Sequence, residues 1–175
     1  MAQAKPYAKV ALVMGILTSC PEKDNQLLTL LESHFGPVLL KSEDELFSYT
    51  DYYDKEMGGK PQRRVLMFRN LIDPSSLADI KILTNKLEER FLGAFGRTVN
   101  LDPGYIGLSS FVLATCKDRS HRIPLHDGIY AEVTMIYSDG DFQALPWTYS
   151  DYASEGIRAV LRDFRNTYKD LLRKE

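Results

Sequence analysis

The hydrophobic positions in the first hundred residues follow two patterns. Short apolar runs rich in β-forming residues predict strands, and longer stretches with apolar residues every three or four positions predict helices. Each helical stretch has a capping residue near its start and a glycine at its end. The predicted elements are a strand at 7–17, a helix at 19–36, a strand that begins at 37, a strand at 63–72, a helix at 73–96 and a strand at 97–102. This βαββαβ order predicts an α+β fold with a ferredoxin-like core.

The remaining residues predict additions to this core. Apolar runs at 109–117 and 129–142 predict two further strands that pair as a β-hairpin. From about Asp151 onward, apolar residues at helical spacing predict a C-terminal helix. No repeat, low-complexity tract or linker divides the chain, so we expect residues 1–175 to form a single domain.

Composition excludes several classes of function. With 22 Lys and Arg against 24 Asp and Glu, the chain has no global positive field, and we expect no nucleic-acid partner. No apolar run reaches the roughly 20 residues of a membrane-spanning helix. Cys20 and Cys116 match no metal-binding or redox spacing. We therefore expect a cytoplasmic protein with reduced thiols and no contact with a membrane; the sequence indicates no particular cofactor or oligomeric state.

Strict alternation along the strand 129–137 predicts which of its residues share a face. Ile129, Ala131, Val133 and Met135 would lie on one face, and Tyr130, Glu132 and Thr134 on the other. Glu132 would thus lie beside Tyr130 in mid-strand between apolar neighbours. A carboxylate in such a position needs a cation nearby.

Candidate cations lie in the same hairpin, within the stretch KDRSHRIPLHDGIYAEV that begins at Lys117. Three interpretations are open. Lys117, His121 and Arg122 could clamp a phosphate or carboxylate. His121 and Glu132 could join Asp102 or Asp127 around a divalent metal that activates a water molecule for hydrolysis. The groups could also pair only with one another and hold the loop in place.

Two further motifs each have a structural and a functional interpretation. The sequence DPGY at 102–105 is typical of a tight turn that ends a strand, and the carboxylate of Asp102 would either bond amides of the turn or face a ligand. Trp147 precedes the last helix, where it could pack that helix onto the sheet together with Tyr149 and Tyr152. Alternatively, it could form an aromatic wall for a ligand.

Five separated motifs carry a resemblance to a known family. They are YTDYYDKEMG (49–58), NLDPGYI (100–106), VLATCKDRSHRI (112–123), GIYAEVTMIY (128–137) and LPWTYSDY (145–152). Together they resemble an uncharacterised prokaryotic family, domain of unknown function 4416, over nearly the whole chain. The resemblance implies no established substrate, although some members carry the label GTP-binding protein.

The residues present do not fit a GTPase of the P-loop type. Such a loop requires G-x-x-x-x-G-K-[ST], but Gly59-Lys60 is preceded by Asp54 at the first glycine position and followed by Pro61. The sequence TNKLEE at 84–89 lies within a predicted amphipathic helix, where Asn85, Lys86 and Glu88 are expected on the surface. No G-x-S-x-G motif indicates a serine hydrolase either.

The sequence therefore predicts one polar pocket near the hairpin. Its candidate ligand-binding residues are Lys117, His121, Arg122, Tyr130, Glu132 and Asp102. The preferred function is binding of an anionic small molecule such as a nucleotide or phosphorylated metabolite. The alternatives are metal-assisted hydrolysis and an interaction domain without catalysis, so the sequence leaves open whether the protein is an enzyme.

Overall fold

The described part of the chain forms one antiparallel sheet with helices packed on both of its faces. We analysed a computed structural model, which describes residues 3–174. Its strands are β1 (Val10–Thr18), β2 (Val38–Lys41), β3 (Glu45–Leu46), β4 (Gln62–Ile72), β5 (Val99–Ile106), β6 (Ser110–Thr115), β7 (Ile123–Pro124), β8 (Tyr130–Ser138) and β9 (Asp141–Ala144). Its helices are α1 (Asp24–Phe35), α2 (Asp54–Met57), α3 (Leu77–Glu88) and α4 (Glu155–Leu172). The predicted α+β class is confirmed.

The sheet is built outward from β1, which is buried at every position. The strand order is β2-β4-β1-β5-β6-β8-β7, while β3 pairs with β4 and β9 pairs with β8. β1 lies antiparallel to both β4 and β5 along most of its length. Because both of its faces are covered, its sequence is a continuous apolar run rather than an alternating one.

The core consists of two main layers, one on each face of the sheet. On one face, Leu12 and Met14 pack with buried residues of α1 and α3. On the other face, Ala11 and Val13 pack with the apolar stripe of α4. These alternating positions follow from the period of two residues in a strand. Within residues 3–174, no helix combines the length and the apolar character needed to cross a membrane.

Helix ends differ from the predictions where the chain makes tighter turns. The second long helix was expected to run to Gly96, but α3 ends at Glu88 and continues as a short 3-10 turn. Leu92 and Arg97 then form an isolated bridge that returns the chain towards β5. α4 begins at Glu155 rather than near Asp151, because the side chain of Ser154 accepts a hydrogen bond from an amide of its first turn.

The predicted turn at 102–105 was wrong. β5 continues through Pro103 and Gly104 and pairs with β1 along its whole length. Pairing with β6 begins only at Gly104, so Pro103 is opposed by a neighbouring strand on one side alone. A Cβ atom on Gly104 would lie 2.4 Å from the carbonyl oxygen of Val112. Glycine is therefore needed here for the close approach of two strands, not for a turn.

The predicted alternation along β8 was wrong beyond Val133. In the pairing with β6, Val112 lies opposite Val133 but Phe111 lies opposite Met135, so Thr134 is the extra residue of a β-bulge. The bulge moves Met135 into the core layer under α4. Val133 packs instead with Val112 on the α3 side of the sheet.

Candidate binding site

A cavity of about 540 Å³ opens where β5 and β6 separate. The two strands pair only from Gly104 to Ile106 on β5. Beyond this short ladder, Asn100 and Asp102 of β5 and Thr115 of β6 line the cavity and do not pair with each other's strand. An interrupted ladder inside a sheet thus supplies the space for the site.

The walls of the cavity combine aromatic and charged side chains. The aromatic residues are Phe47, Tyr49, Tyr52, Tyr53, Tyr149 and Tyr152. The charged residues are the cations Arg63, Lys81, Arg97, Lys117 and Arg122 and the carboxylates Asp102, Asp151 and Glu132. The cations therefore outnumber the carboxylates around the cavity, although the whole chain has a net charge of −2.

The interior of the cavity is built around Arg63 and Asp102. Arg63, on β4, is buried and donates a hydrogen bond to Asp151. Its guanidinium lies between two rings, 5.3 Å from the centroid of Phe47 and 5.0 Å from that of Tyr152. Gly15 on β1 makes room for this packing, because a Cβ atom there would lie 2.2 Å from the Tyr152 hydroxyl oxygen.

Two cations approach the carboxylate of Asp102 from different elements. The Arg63 Nη1 atom lies 3.9 Å from Asp102 Oδ2, and the Lys81 Nζ atom lies 3.9 Å from Asp102 Oδ1. Both distances exceed a direct hydrogen bond. Asn100 donates a hydrogen bond of 2.8 Å to Asp102, and Lys81 donates one of 2.8 Å to the carbonyl oxygen of Leu101. The cations thus keep unused donor capacity beside the carboxylate.

The environment of Arg63 perturbs its own ionisation and that of its neighbours. Burial by itself would lower the pKa of Arg63, but Tyr152, Asp151 and Asp102 raise it above the ordinary arginine value. Burial, together with the charge of Asp102, raises the pKa of Tyr53 to about 12. Burial likewise raises the pKa of the Tyr152 phenol. The phenols of Tyr53 and Tyr152 therefore remain neutral near pH 7.

The predicted hairpin residues His121, Arg122 and Glu132 form one cluster, in which Arg122 and Glu132 are buried. His121 Nε2 lies 2.8 Å from Glu132 Oε2, and Arg122 Nε donates to the same oxygen at 2.7 Å. Arg122 also donates to the carbonyl oxygen of Lys117 at 2.7 Å and to the Tyr149 hydroxyl at 3.2 Å. These hydrogen bonds hold the loop between β6 and β8, as the interpretation of mutual pairing expects.

The predicted site residues fall into two groups in the structure. Lys117, Arg122, Glu132 and Asp102 line the cavity. His121 and Tyr130 are not among the lining residues; Tyr130 is half-buried on β8, opposite Thr115 and Pro124. His121 turns towards Trp147, whose ring stacks on it at 4.7 Å between centroids.

The structural prediction for Trp147 needs correction in the same region. The Trp147 indole stacks on His121 and donates a 2.8 Å hydrogen bond to the carbonyl oxygen of Val133. It therefore braces the hairpin, whereas Tyr152 alone of the predicted trio joins the core under α4. Tyr149 bonds Arg122 at the edge of the cavity. All three rings lie in the segment between β9 and α4, and each contacts a different part of the molecule.

Sequence reasoning missed the cationic interior of the cavity. The sequence pattern places Arg63 only at the start of a predicted strand, and it does not distinguish Lys81 from the other residues of its predicted helix. The spacing of Lys81, Thr84 and Glu88 carried a usable signal, because positions three and four apart in a helix share a face. All three are buried, and the expectation that Glu88 lies on the surface was wrong. Glu88 instead accepts hydrogen bonds from the Leu101 amide and from a neighbouring arginine.

The lining residues offer charged groups and aromatic rings. Within residues 3–174, no three His, Cys, Asp or Glu side chains are grouped in a way that could hold a metal ion. The pair of His121 and Glu132 also has Arg122 on the shared carboxylate oxygen. The positive charge of Arg122 therefore already balances the Glu132 carboxylate.

Residues 8–168 match the model of a family described as Domain of unknown function (DUF4416). The chain belongs to the DUF4416 family. The resemblance predicted from the five motifs is thereby confirmed. No curated protein and no solved structure matches this DUF4416 chain significantly.

Proposed function

We propose that this DUF4416 protein binds an anionic small molecule, such as a nucleotide or a phosphorylated metabolite, in the cavity between β5 and β6. The excess of cations among the lining residues carries this proposal, since it occurs in a chain whose net charge is negative. A concave, partly apolar wall strengthens the attraction of such charges for an anion. The volume of about 540 Å³ lies within the range of roughly 300–1,000 Å³ typical of ligand pockets.

Lys117 is the lining cation best able to meet a ligand. The other four each have a carboxylate oxygen within 4.0 Å: Arg63 with Asp151, Lys81 with Asp102, Arg97 with Glu88, and Arg122 with Glu132. The Nζ atom of Lys117 lies over the ring of Tyr52, at 5.2 Å from its centroid. An anion beside Lys117 would therefore gain a charge-assisted contact without breaking an existing ion pair.

The remaining predicted site residues support this contact indirectly. Arg122 and Glu132 neutralise each other at the cavity wall, and Arg122 fixes the backbone of Lys117 through its carbonyl oxygen. Asp102 lies on β5, between the cations Arg63 and Lys81. His121 and Tyr130 support the hairpin from outside the cavity. We keep metal-assisted hydrolysis outside the proposal, because no specific observation favours it.

The proposal extends to the architecture that holds the cavity. The order β2-β4-β1-β5, with every neighbouring pair antiparallel, supports a ferredoxin-like core over the first half of the chain. α1 and α3 pack on the same face of these strands, as that core requires. The hairpin of β6 and β8 and the helix α4 would then be additions that create the site.

Titration of the protein with inorganic phosphate, pyrophosphate and a panel of nucleotides tests the proposal. At least one anion should raise the melting temperature, and its affinity should fall as salt screens the charges. Lys117→Ala should weaken that affinity by about tenfold, the effect of losing one charge-assisted hydrogen bond. It should change the stability of the free protein by no more than about 1 kcal/mol, because among residues 3–174 Lys117 has no ion pair and contacts only the ring of Tyr52 with its charge.

A matched control separates the role of the cavity from general charge. Lys86→Ala removes the same charge from an exposed position of α3 that does not line the cavity, and it should not change the affinity. Arg122→Ala is less informative, since it leaves Glu132 buried without its cation. The proposal fails if no anion binds at millimolar concentration, or if Lys117→Ala and Lys86→Ala bind alike.

A further inference from the structure

We infer that the ligand carries a flat aromatic ring beside its anionic group. The ligand is therefore a ring-bearing anion and not a phosphate without a ring. This inference rests on the proposed function. It adds a second recognition element, a stacking surface at the rim of the cavity, next to the cation Lys117.

The rim is formed by tyrosines whose rings remain partly in solvent. Tyr49, Tyr52 and Tyr149 line the cavity and are 47%, 63% and 49% exposed. They come from two separate segments, one between β3 and α2 and the other between β9 and α4. Separate segments that bring exposed rings to one concave edge make a surface suited to stacking.

Buried neighbours hold the rings of the first segment. Phe47 is buried, and its ring centroid lies 5.7 Å from that of Tyr49 and 5.9 Å from that of Tyr53. Tyr53 in turn meets Tyr52 edge to face at 5.0 Å. None of these pairs is stacked in parallel, so the pairs themselves leave ring faces open to a ligand ring, while Lys117 lies over one face of Tyr52. The rim is therefore ordered before a ligand arrives, which reduces the entropy lost on binding.

Lys117 gives the anionic group its place, because the other lining cations already have carboxylate partners. Arg63 and Lys81 are buried deeper in the cavity, where each lies 3.9 Å from a carboxylate oxygen of Asp102. Lys117 lies over the ring of Tyr52, so the cation and the aromatic rim are adjacent. A ligand whose anionic group and ring are adjacent matches this arrangement.

Calorimetric titration with three related probes tests the inference. AMP carries both groups, ribose 5-phosphate lacks the ring, and adenosine lacks the anion. AMP should bind at least about tenfold more tightly than either partial probe, the size expected for one stacked base. Tyr49→Leu changes a rim ring separate from the Tyr52 ring under Lys117, so it should weaken AMP by a similar factor and leave ribose 5-phosphate unchanged. Tyr7→Leu, at a comparably exposed tyrosine outside the cavity lining, should change neither affinity.

The outcomes distinguish this inference from the proposed function. If ribose 5-phosphate binds as tightly as AMP, or if Tyr49→Leu weakens both equally, the ring is not recognised and only the inference falls. If adenosine binds as tightly as AMP, the anion contributes nothing and the proposed function falls with it. Failure of AMP, ribose 5-phosphate and inorganic phosphate to bind at all would also overturn both.

Discussion

Neutralising Glu132 should strongly destabilise the folded protein. The Glu132 carboxylate is 2% exposed and accepts hydrogen bonds from Arg122 at 2.7 Å and from Thr134 at 3.3 Å, with His121 Nε2 at 2.8 Å. Glu132→Gln preserves the shape of the side chain but removes its charge. Arg122, whose side chain is only 3% exposed, would then be a buried cation without a counter-charge.

The expected loss can be estimated from this geometry. Removing one partner of a buried ion pair costs about 3–5 kcal/mol. Because Arg122 keeps its hydrogen bonds to the Lys117 carbonyl and the Tyr149 hydroxyl, we expect the lower end, about 3 kcal/mol. For a chain of 175 residues, this corresponds to a fall in melting temperature of about 6–12 °C.

Urea denaturation followed by circular dichroism measures this loss. Asp170→Asn is a matched control, because it breaks an exposed pair with Arg173 and should cost less than about 0.5 kcal/mol. Replacing both partners by apolar residues, Arg122→Met with Glu132→Leu, should recover most of the stability lost in the single variant. A loss below about 1 kcal/mol for Glu132→Gln would refute the buried cluster.

Three further predictions concern the strands, the ionisation of a tyrosine and the thiols. Gly104→Ala should lower the free energy of unfolding by about 2 kcal/mol or more, because its Cβ atom would meet a carbonyl oxygen at 2.4 Å. Spectrophotometric titration should show Tyr53 ionising near pH 12. Its raised pKa contributes stability that is complete below pH 10 and is lost as the pH rises towards 12, and Tyr53→Phe should reduce that loss. Exposed Cys116 should react rapidly with a thiol reagent, while buried Cys20 should react only after unfolding.

Each of these predictions has a control and a result that would contradict it. Gly107→Ala should be tolerated, since its Cβ atom would meet nothing closer than 3.9 Å; equal effects at the two glycines would disprove the close approach of β5 and β6. Tyrosine titration curves that coincide for the parent protein and Tyr53→Phe above pH 10 would contradict the perturbed phenol. Two rapidly reacting thiols per native chain would show that Cys20 is accessible.

Part of the candidate site could be predicted from the sequence because its residues are close in the chain. His121, Arg122 and Glu132 belong to one hairpin, so their mutual pairing was among the expected arrangements. Lys81 and Arg63 could not be connected with them by spacing alone. They come from α3 and β4, and they converge only because the sheet brings β4 and β5 to either side of β1.

The sequence by itself determined the positions of the long helices and most of the long strands, since the period of apolar residues depends on the local backbone geometry. It did not predict α2, β3 or β7, and the strand expected at 129–142 is divided into β8 and β9. It also determined the α+β class and the family to which the chain belongs. Only the tertiary structure decided that β5 runs through Pro103 and Gly104, that Thr134 forms a bulge, and that β5 and β6 part to open a cavity. These features depend on the register between strands distant in sequence, and the local pattern does not specify that register.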